Sequence, residues 1–299
     1  MEVVSLGEPG ELEARFAPSA GMVGCSLLHR GEELLGQRRG FASYVSDRKT
    51  MGIPLLYPWA NRLSADRFTV AGREVVLDAG PPAATPTRDP NGLPMHGLLA
   101  ADPGWRVESA DGHVLRASLD FGGRPDLLAA FPFPHLLELE VGVAGPQLTI
   151  AARVSANRES PVPVSFGFHP YLKLPGVARR DWEVEIPVRT QLVLDERNLP
   201  TGERKEVRVE DGALGERTFD DGYEAPPRGA PFVLSGGGRR IELGFESGYD
   251  YAQVFAPPND DVIAYEPMTA PTNALVTGDS LPVIDPGERY EAEFSLEVH

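Results

Sequence analysis

Apolar and polar residues alternate with a period of two along much of this chain. The clearest case is residues 290–298, where every second residue from Tyr290 onward is apolar and most of the residues between them are charged. Alternation of this kind indicates a β-strand with one buried face. Residues 137–143 and 148–154 repeat the pattern, so all three segments are predicted to be half-buried strands.

Two further segments depart from simple alternation. Residues 182–188 alternate in the same way but contain Pro187. Because proline cannot donate a ladder hydrogen bond, this strand is predicted to lie at a sheet edge or to contain a bulge. Residues 77–94 show no periodicity and many turn formers, which predicts a long loop that contributes to a functional site.

Helices are predicted to be few because glycine and proline interrupt the chain throughout. The 32 glycines and 29 prolines leave no uninterrupted interval longer than residues 147–160, whereas a typical helix takes about 11–12 positions. No linker, charge block or internal repeat divides the sequence. We therefore predict an all-β chain with very little helix, folded as one domain over residues 1–299 from two large packed antiparallel sheets.

Composition narrows the classes of partner. A formal net charge of −16 disfavours nucleic acid and anionic membranes, and a neutral small molecule suits such a surface better. Cys25 is the only cysteine, which excludes an intrachain disulfide. The sequence shows no leader pattern at its start and no apolar run of the roughly 18 residues that a membrane span requires. We expect a cytoplasmic protein that is a monomer or a homodimer.

Two of the six histidines are candidates for acid-base catalysis. His169 lies among aromatic and apolar residues immediately before a proline, and His96 follows the predicted loop, where side chains often point into a cleft. An imidazole in such a place can gain or lose a proton near neutral pH. A buried histidine that bonds a backbone carbonyl is the alternative interpretation of each. The remaining four are assigned to turns, the terminus or a structural role: His29, His113, His135 and His299.

Acidic residues supply further candidates. Glu266 ends an apolar run, where a carboxylate must be paired or have a raised pKa, and a raised pKa is what a general base near neutrality needs. A solvated glutamate at the end of a strand is the alternative. Asp220 and Asp221 are equally suited to capping a turn and to binding sugar hydroxyls.

Three other candidate residues lie within apolar runs. The guanidinium of Arg62 needs acceptors from a carboxylate, a carbonyl or a substrate. Trp59 is able to stack on a sugar ring, although core packing is the more common use of a tryptophan. Gln253 needs hydrogen-bond partners if it points inward. The sequence contains no Cys-x-x-Cys or His-Glu-x-x-His pattern, phosphate loop or nucleophile elbow, so we expect no metal and no cofactor.

Six short motifs spread over the chain carry a family resemblance. They are Gly52-Ile-Pro-Leu-Leu-Tyr-Pro-Trp-Ala-Asn-Arg-Leu, Met95-His-Gly, Phe168-His-Pro-Tyr, Phe219-Asp-Asp-Gly-Tyr, Gln253-Val-Phe and Tyr265-Glu-Pro. Each motif is weak alone, but the ordered series resembles that of the aldose 1-epimerase (galactose mutarotase) family. The resemblance extends from about residue 52 to the final strand.

The resemblance implies a β-supersandwich that opens and recloses the pyranose ring of a free aldohexose, so that its α and β anomers interconvert without a cofactor. It implies that Glu266 is the general base on the C1 hydroxyl, that His169 is the general acid on the ring oxygen and that His96 assists there. The implied sugar ligands are Arg62, Asp220, Gln253, Asn61 and Trp59. Ring opening independently requires one group that removes a proton and another that delivers one.

The choice of substrate has an alternative. The segments around Gly52 and from His96 to Trp105 also resemble the hexose-6-phosphate epimerase branch, in which Arg48 and Lys49 would meet the phosphate. Because the net charge is −16 and the sequence shows no concentrated basic cluster, free hexoses are predicted to outcompete hexose 6-phosphates. Two other classes stay open: a carbohydrate-binding protein of the same fold without catalysis, and a glycosidase that uses two carboxylates.

Overall fold

The computed structural model of this chain describes residues 2–81 and 84–299, so positions 82 and 83 of the predicted loop lie outside the described residues. Antiparallel strands dominate and form two large sheets, which confirms the all-β prediction. No helix in the described ranges is long and apolar enough to cross a membrane. The short helices are Phe41–Asp47, Pro125–Ala130 and Ala274–Thr277, with 3₁₀ turns at Pro18–Ala20 and Arg179–Asp181.

One large sheet has nine strands and contains the strands that alternation predicts. In order of hydrogen-bonded neighbours they are Arg106–Ala110, Val114–Asp120, His135–Ala144, Gln147–Ala156, Arg289–Val298, Arg239–Ser247, Phe232–Gly236, Glu183–Glu185 and Gly212–Ala213. Burial alternates strictly along His135–Ala144, with one face in the core and the other toward solvent. The strand Glu183–Glu185 ends before Pro187 and lies one strand inside the sheet edge, because Gly212–Ala213 pairs with it.

The other large sheet has eight strands and carries the candidate site. Its strands, in order of neighbours, are Pro200–Glu206, Thr190–Leu194, Phe219–Glu224, Tyr251–Ala256, Ile263–Met268, Gly167–Phe168 and Leu55–Leu56, with Tyr171–Leu172 pairing separately to Ile263–Met268. The motif histidine, His169, lies between two of these short strands.

Smaller ladders complete the fold. A four-stranded sheet contains Val4–Gly7, Leu12–Ala17, Val23–His29 and Glu32–Glu33, and three two-stranded ladders pair Arg67–Val70 with Arg73–Val76, Val162–Pro163 with Val283–Ile284, and Thr87–Arg88 with Pro94–Met95. The last ladder falls inside the segment predicted as an irregular loop. That segment therefore folds back on itself, and its short ladder places Thr87 and Arg88 at the candidate site.

Aromatic side chains join the two large sheets. The rings of Phe168 and Phe294 lie 5.1 Å apart, and those of Phe232 and Tyr265 stack with centroids 4.9 Å apart. The Tyr265 hydroxyl also donates a 2.7 Å hydrogen bond to the carbonyl of Val233. Each such ring buries about 150–250 Å² and contributes strongly to the core. Buried residues of both sheets belong to one cluster, while the organisation as one domain stays a prediction.

Candidate active site

The strand Ile263–Met268 presents alternate side chains to the two faces of the eight-stranded sheet. Tyr265 points into the core between the sheets, so Glu266 lies on the opposite face. Gln253 is the register partner of Glu266 on the adjacent strand. On the next strand, Gly222 is the register partner of Gln253. Asp220 lies two positions before Gly222, so its side chain points to the same face of the sheet. Strand pairing therefore brings together three residues that the sequence singles out.

His169 and Glu266 form a buried pair. The imidazole Nε2 lies 3.1 Å from Oε1 of the carboxyl group, and the side chains are 5% and 2% exposed. Burial raises the pKa of Glu266 well above its ordinary value, and the charge of Asp220 raises it further. Burial also lowers the pKa of His169 well below its ordinary value, and His96 and Arg38 act in the same direction. The dry site thus favours a carboxylic acid beside a neutral imidazole, so the pair holds one proton.

His96 lies next to this pair. Its ring meets that of His169 edge to face, with centroids 5.7 Å apart. Its backbone has a left-handed φ of +61°, and its N–H donates to the carbonyl of Asn61 at 2.8 Å. Burial, together with the charges of Arg62 and Arg38, lowers the pKa of His96 to about 3. His96 is therefore neutral and is suited to hydrogen bonding rather than to carrying charge.

A network of buried and partly buried polar groups connects Arg62 to Asp220. Nε of Arg62 lies 3.2 Å from the carboxylate of Asp89, and its Nη1 donates to the carbonyl of Asn198 at 3.1 Å. The side-chain amides of Asn198 and Gln253 donate to the two oxygens of Asp220 at 3.0 and 2.8 Å. Each of these oxygens keeps a lone pair that can accept a sugar hydroxyl. The network fixes Asp220 and Arg62 relative to each other.

The structure distinguishes the two adjacent aspartates. The carboxylate of Asp221 accepts a 2.9 Å hydrogen bond from the side-chain amide of Gln191. Asp220 lines the cavity above the His169–Glu266 pair, and Asp221 does not. The geometry therefore favours Asp220 as the sugar ligand.

Two predicted sugar ligands do not reach the cavity wall. Trp59 is 0% exposed and belongs to the hydrophobic core, so a sugar cannot stack on its ring and the prediction is wrong for this residue. Gln253 is 2% exposed and lies behind Asp220, to which it donates. Because Glu266 is equally buried, direct sugar contact by Gln253 stays a prediction, while the hydrogen bond shows that its amide orients Asp220.

His135 is structural, as the sequence favours. Its Nδ1 lies 2.6 Å from the carbonyl of Phe133, which can only accept, so Nδ1 carries the proton. Burial lowers the pKa of His135 to about 4, so the ring is neutral and its Nε2 accepts the 2.6 Å hydrogen bond from the Tyr57 hydroxyl. This interaction anchors the loop that carries Asn61 and Arg62.

A cavity of about 190 Å³ lies over the His169–Glu266 pair. This volume is below the roughly 300–1,000 Å³ of sites for drug-sized ligands and suits a monosaccharide. Its buried lining comprises Asn61, Arg62, His169, Tyr171 and Glu266, while His96, Asp220, Phe255, Thr50, Thr87 and Met95 are partly exposed. The sequence motifs contain most of these residues, although Tyr171 belongs to a motif without being predicted as a site residue.

Several buried polar atoms of this lining have no hydrogen-bond partner within the described residues. They are Nδ1 of His96, Nδ1 of His169, Oδ1 of Asn61 and Oε2 of Glu266. A buried polar atom without a partner costs about 1–3 kcal/mol, so such atoms rarely gather in a structural core. Their convergence on one cavity indicates a ligand that offers several hydroxyl groups.

Basic side chains surround the mouth of this cavity, although the protein carries a net charge of −16. They are Arg38, Arg48, Lys49 and Arg88. Asp260 pairs with Arg38 at 3.2 Å and Asp66 with Arg88 at 2.6 Å, which neutralises part of the charge. The statement that the chain has no concentrated basic cluster is therefore wrong, because folding brings residue 88 beside residues 38–49.

Among the described residues, a second depression has a different lining. A depression of about 330 Å³ on the outer face of the nine-stranded sheet is lined by ion-paired side chains, among them Arg116 with Glu140 and Arg153 with Glu291. Within residues 2–81 and 84–299, no three His, Cys, Asp or Glu side chains are grouped so that they could hold a metal ion.

The packed antiparallel sheets and the polar cavity above the His169–Glu266 pair agree with the fold and the site that the motif resemblance implies. The family model for aldose 1-epimerase matches residues 5–297. The chain therefore belongs to the aldose 1-epimerase family and is an isomerase that acts on carbohydrates.

Solved structures show the same fold at low sequence identity. A putative aldose 1-epimerase from Escherichia coli K12 superposes with a TM-score of 0.77 at 19% identity, covering 100% of this chain and 99% of the other. The galactose 1-epimerase of Lactobacillus acidophilus NCFM gives 0.73 at 15% identity, with coverages of 99% and 93%. The Synechocystis sp. PCC 6803 protein Slr1438 gives 0.80 at 22%, with coverages of 99% and 95%. No curated protein matches the sequence.

Proposed function

We propose that this protein is an aldose 1-epimerase that interconverts the α and β anomers of an aldohexose. The observation that carries the proposal is the buried His169–Glu266 pair, with 3.1 Å between Nε2 and Oε1, at the base of a cavity lined by unpaired polar atoms. Ring opening needs a proton acceptor and a proton donor of different pKa close to one carbon atom. This pair supplies both.

The reaction begins when the single proton of the pair passes from Glu266 to His169 across their 3.1 Å contact, which leaves Glu266 ionised and His169 protonated. Glu266 takes the proton of the C1 hydroxyl, the C1 oxygen forms a carbonyl, the bond from C1 to the ring oxygen breaks, and His169 delivers its proton to that oxygen. Rotation about the C1–C2 bond turns the other face of the aldehyde toward the returning hydroxyl. The reverse transfers then close the ring as the other anomer and restore both groups.

Four other residues are proposed to hold the sugar during these steps. Asp220, fixed by its two amide donors, accepts hydrogen bonds from sugar hydroxyls. The guanidinium of Arg62 and the side chain of Asn61 lie on the same lining and supply donors. His96, neutral because burial lowers its pKa to about 3, is proposed to donate a hydrogen bond to the ring oxygen beside His169. Positioning of this kind keeps the reacting atoms in contact with the acid–base pair.

A polarimetric mutarotation assay on freshly dissolved α-glucose and α-galactose tests the proposal. We expect the purified protein to accelerate the decay of optical rotation in proportion to its concentration. Sugar binding measured by calorimetry without any acceleration would instead identify a carbohydrate-binding protein of the same fold.

The pH dependence of kcat/KM is expected to be bell-shaped. On the acid side of the profile, the pair takes up a second proton, which blocks the base. This acid limb lies below pH 6.5 because burial lowers the pKa of His169. On the basic side, the pair loses its single proton, which removes the acid. This basic limb lies above pH 4.5 because burial raises the pKa of Glu266. Activity is therefore greatest between the two limbs. A profile with a single limb at the ordinary pKa of a glutamate side chain would contradict the assignment of a buried pair.

The basic mouth favours a second candidate substrate, a hexose 6-phosphate. With C1 at the buried pair, the far end of the sugar points toward the mouth, where four basic side chains lie. A phosphate there gains charge-assisted interactions that a free hexose does not make. The sequence-based prediction that free hexoses are preferred depended on the net charge of −16 and on the lack of a basic cluster. Only the net charge still supports it, because the mouth contains such a cluster.

Lys49 offers the cleanest test of the phosphorylated substrate, because this exposed lysine lines the mouth. If phosphate binds there, Lys49→Gln raises the KM for glucose 6-phosphate about five- to tenfold and leaves the KM for glucose unchanged. Lys205→Gln, which removes the same charge from an exposed strand away from the cavity, is the matched control. Equal KM values for glucose 6-phosphate in both variants, together with faster turnover of glucose, would support the free hexose.

A further inference from the structure

The ring of Tyr171 contacts both the proposed general acid and a cation at the mouth. It stacks on the imidazole of His169 with centroids 4.0 Å apart and planes 18° apart. The guanidinium carbon of Arg38 lies 4.8 Å from the centroid of the same ring. Thr50 forms a 2.7 Å hydrogen bond with the Tyr171 hydroxyl, and Asp260 lies 3.2 Å from Nε of Arg38. All three members of this Arg38–Tyr171–His169 stack are therefore held in place.

The remaining neighbours of His169 carry little charge in the resting site. Glu266 faces its Nε2 and is kept protonated by burial, and His96 is neutral because its pKa lies at about 3. The ring of Phe255 meets the imidazole edge to face at 5.5 Å and is apolar. Arg38 is thus the charged neighbour whose field bears on His169 in the resting site. Its side chain is 28% exposed, so part of that field is screened by solvent.

We propose that Arg38 is a positioning residue of the reaction, whose charge, acting across the ring of Tyr171, sets the acid strength of the His169 imidazole. The inference rests on the proposed function, in which His169 gives its proton to the ring oxygen. A nearby cation destabilises the imidazolium form, so the proton leaves His169 more readily. The stacked ring keeps the imidazole in one orientation, and the rings of Tyr171 and Phe255, which both groups contact, supply an apolar environment that strengthens the effect.

Removal of the charge tests the proposal directly. In Arg38→Gln, NMR titration of the imidazoles in the free protein should show His169 protonating at higher pH, with a change of about threefold or more in its ionisation constant. The His169 signal is identified by its loss in His169→Asn. Arg38→Lys keeps the charge and should restore most of the wild-type behaviour, which a purely structural role of the guanidinium would not predict.

Arg39→Gln is the matched control. It removes the same charge from the next residue, which is exposed and does not line the cavity, and His169 should titrate as in the wild type. Identical titrations of Arg38→Gln and Arg39→Gln would overturn the proposal. The same conclusion would follow if the imidazole stayed uncharged at every pH in both variants.

Enzyme kinetics provide a second readout. The acid limb of kcat/KM should move to higher pH in Arg38→Gln and stay in place in Arg39→Gln and Arg38→Lys. A higher KM for hexose 6-phosphate with an unchanged His169 titration would make Arg38 a substrate ligand and would overturn the proposal. The titration requires no turnover, so a lack of mutarotase activity in the wild type would reject the proposed function alone.

Discussion

Glu266→Gln and His169→Asn are each expected to lower kcat by roughly 10²–10⁴, while sugar affinity stays within about tenfold of the wild type. Both replacements keep the size and most of the hydrogen-bonding capacity of the side chain but remove the group that titrates. Binding therefore survives and proton transfer does not. Polarimetry measures the turnover, and calorimetric titration with sugar measures the affinity.

Two control variants show whether the loss is specific to the pair. Glu293→Gln replaces a carboxyl group on the nine-stranded sheet whose pKa is also raised by burial, and His113→Asn replaces an exposed imidazole in a turn. Both should retain wild-type kcat. If Glu266 and His169 act in one proton relay, as proposed, the double variant should be little slower than the slower single variant. Wild-type turnover in Glu266→Gln would refute the catalytic assignment and favour a sugar-binding protein.

Gly97→Ala is expected to lower the free energy of unfolding by about 4 kcal/mol or more, because the added methyl group would clash with the backbone. A Cβ on Gly97 would lie 2.0 Å from the carbonyl oxygen of Tyr57, and its φ of +73° is already left-handed. That oxygen also accepts the N–H of Leu98 at 2.7 Å. The contact joins the loop that carries Arg62 to the segment that carries His96, so kcat should fall as well. Denaturant unfolding measures the stability.

The surroundings of Gly97 leave the backbone little room to relax. Tyr57 is buried, and its hydroxyl is fixed by the 2.6 Å hydrogen bond to His135. Gly72→Ala is the matched control, since Gly72 has a φ of +75° but no atom within 4 Å of an added Cβ. It should lose only about 1–2 kcal/mol, the cost of the left-handed backbone. Similar losses of stability in the two variants would contradict this prediction, because they would show that the backbone around Tyr57 shifts to accommodate the added methyl group.

Much of the secondary structure follows from local sequence. The strands His135–Ala144, Gln147–Ala156 and Arg289–Val298 are predicted because their alternation records one buried and one exposed face. The segment at residues 77–94 was predicted only as an irregular loop. The segment forms a short ladder between Thr87–Arg88 and Pro94–Met95, and no periodic pattern in its sequence predicts this pairing.

The site divides in the same way. Motif order singled out Glu266, His169 and His96, and the structure places all three around one cavity. Residue type alone did not show that Trp59 packs in the core or that Gln253 stands behind Asp220, because both are side chains that serve equally well as ligands or as supports.

The sequence by itself determined the all-β class and the main strands, because both depend on residue types at short, regular spacings. The family resemblance of its motifs proposed Glu266 and His169 as the acid–base pair. Only the tertiary structure decided which polar groups reach the cavity and which charges act on them. Arg38 meets Tyr171, and Arg62 meets Asn198, across more than a hundred residues of chain. The field at a buried imidazole depends on distance and on exclusion of water, and folding sets both.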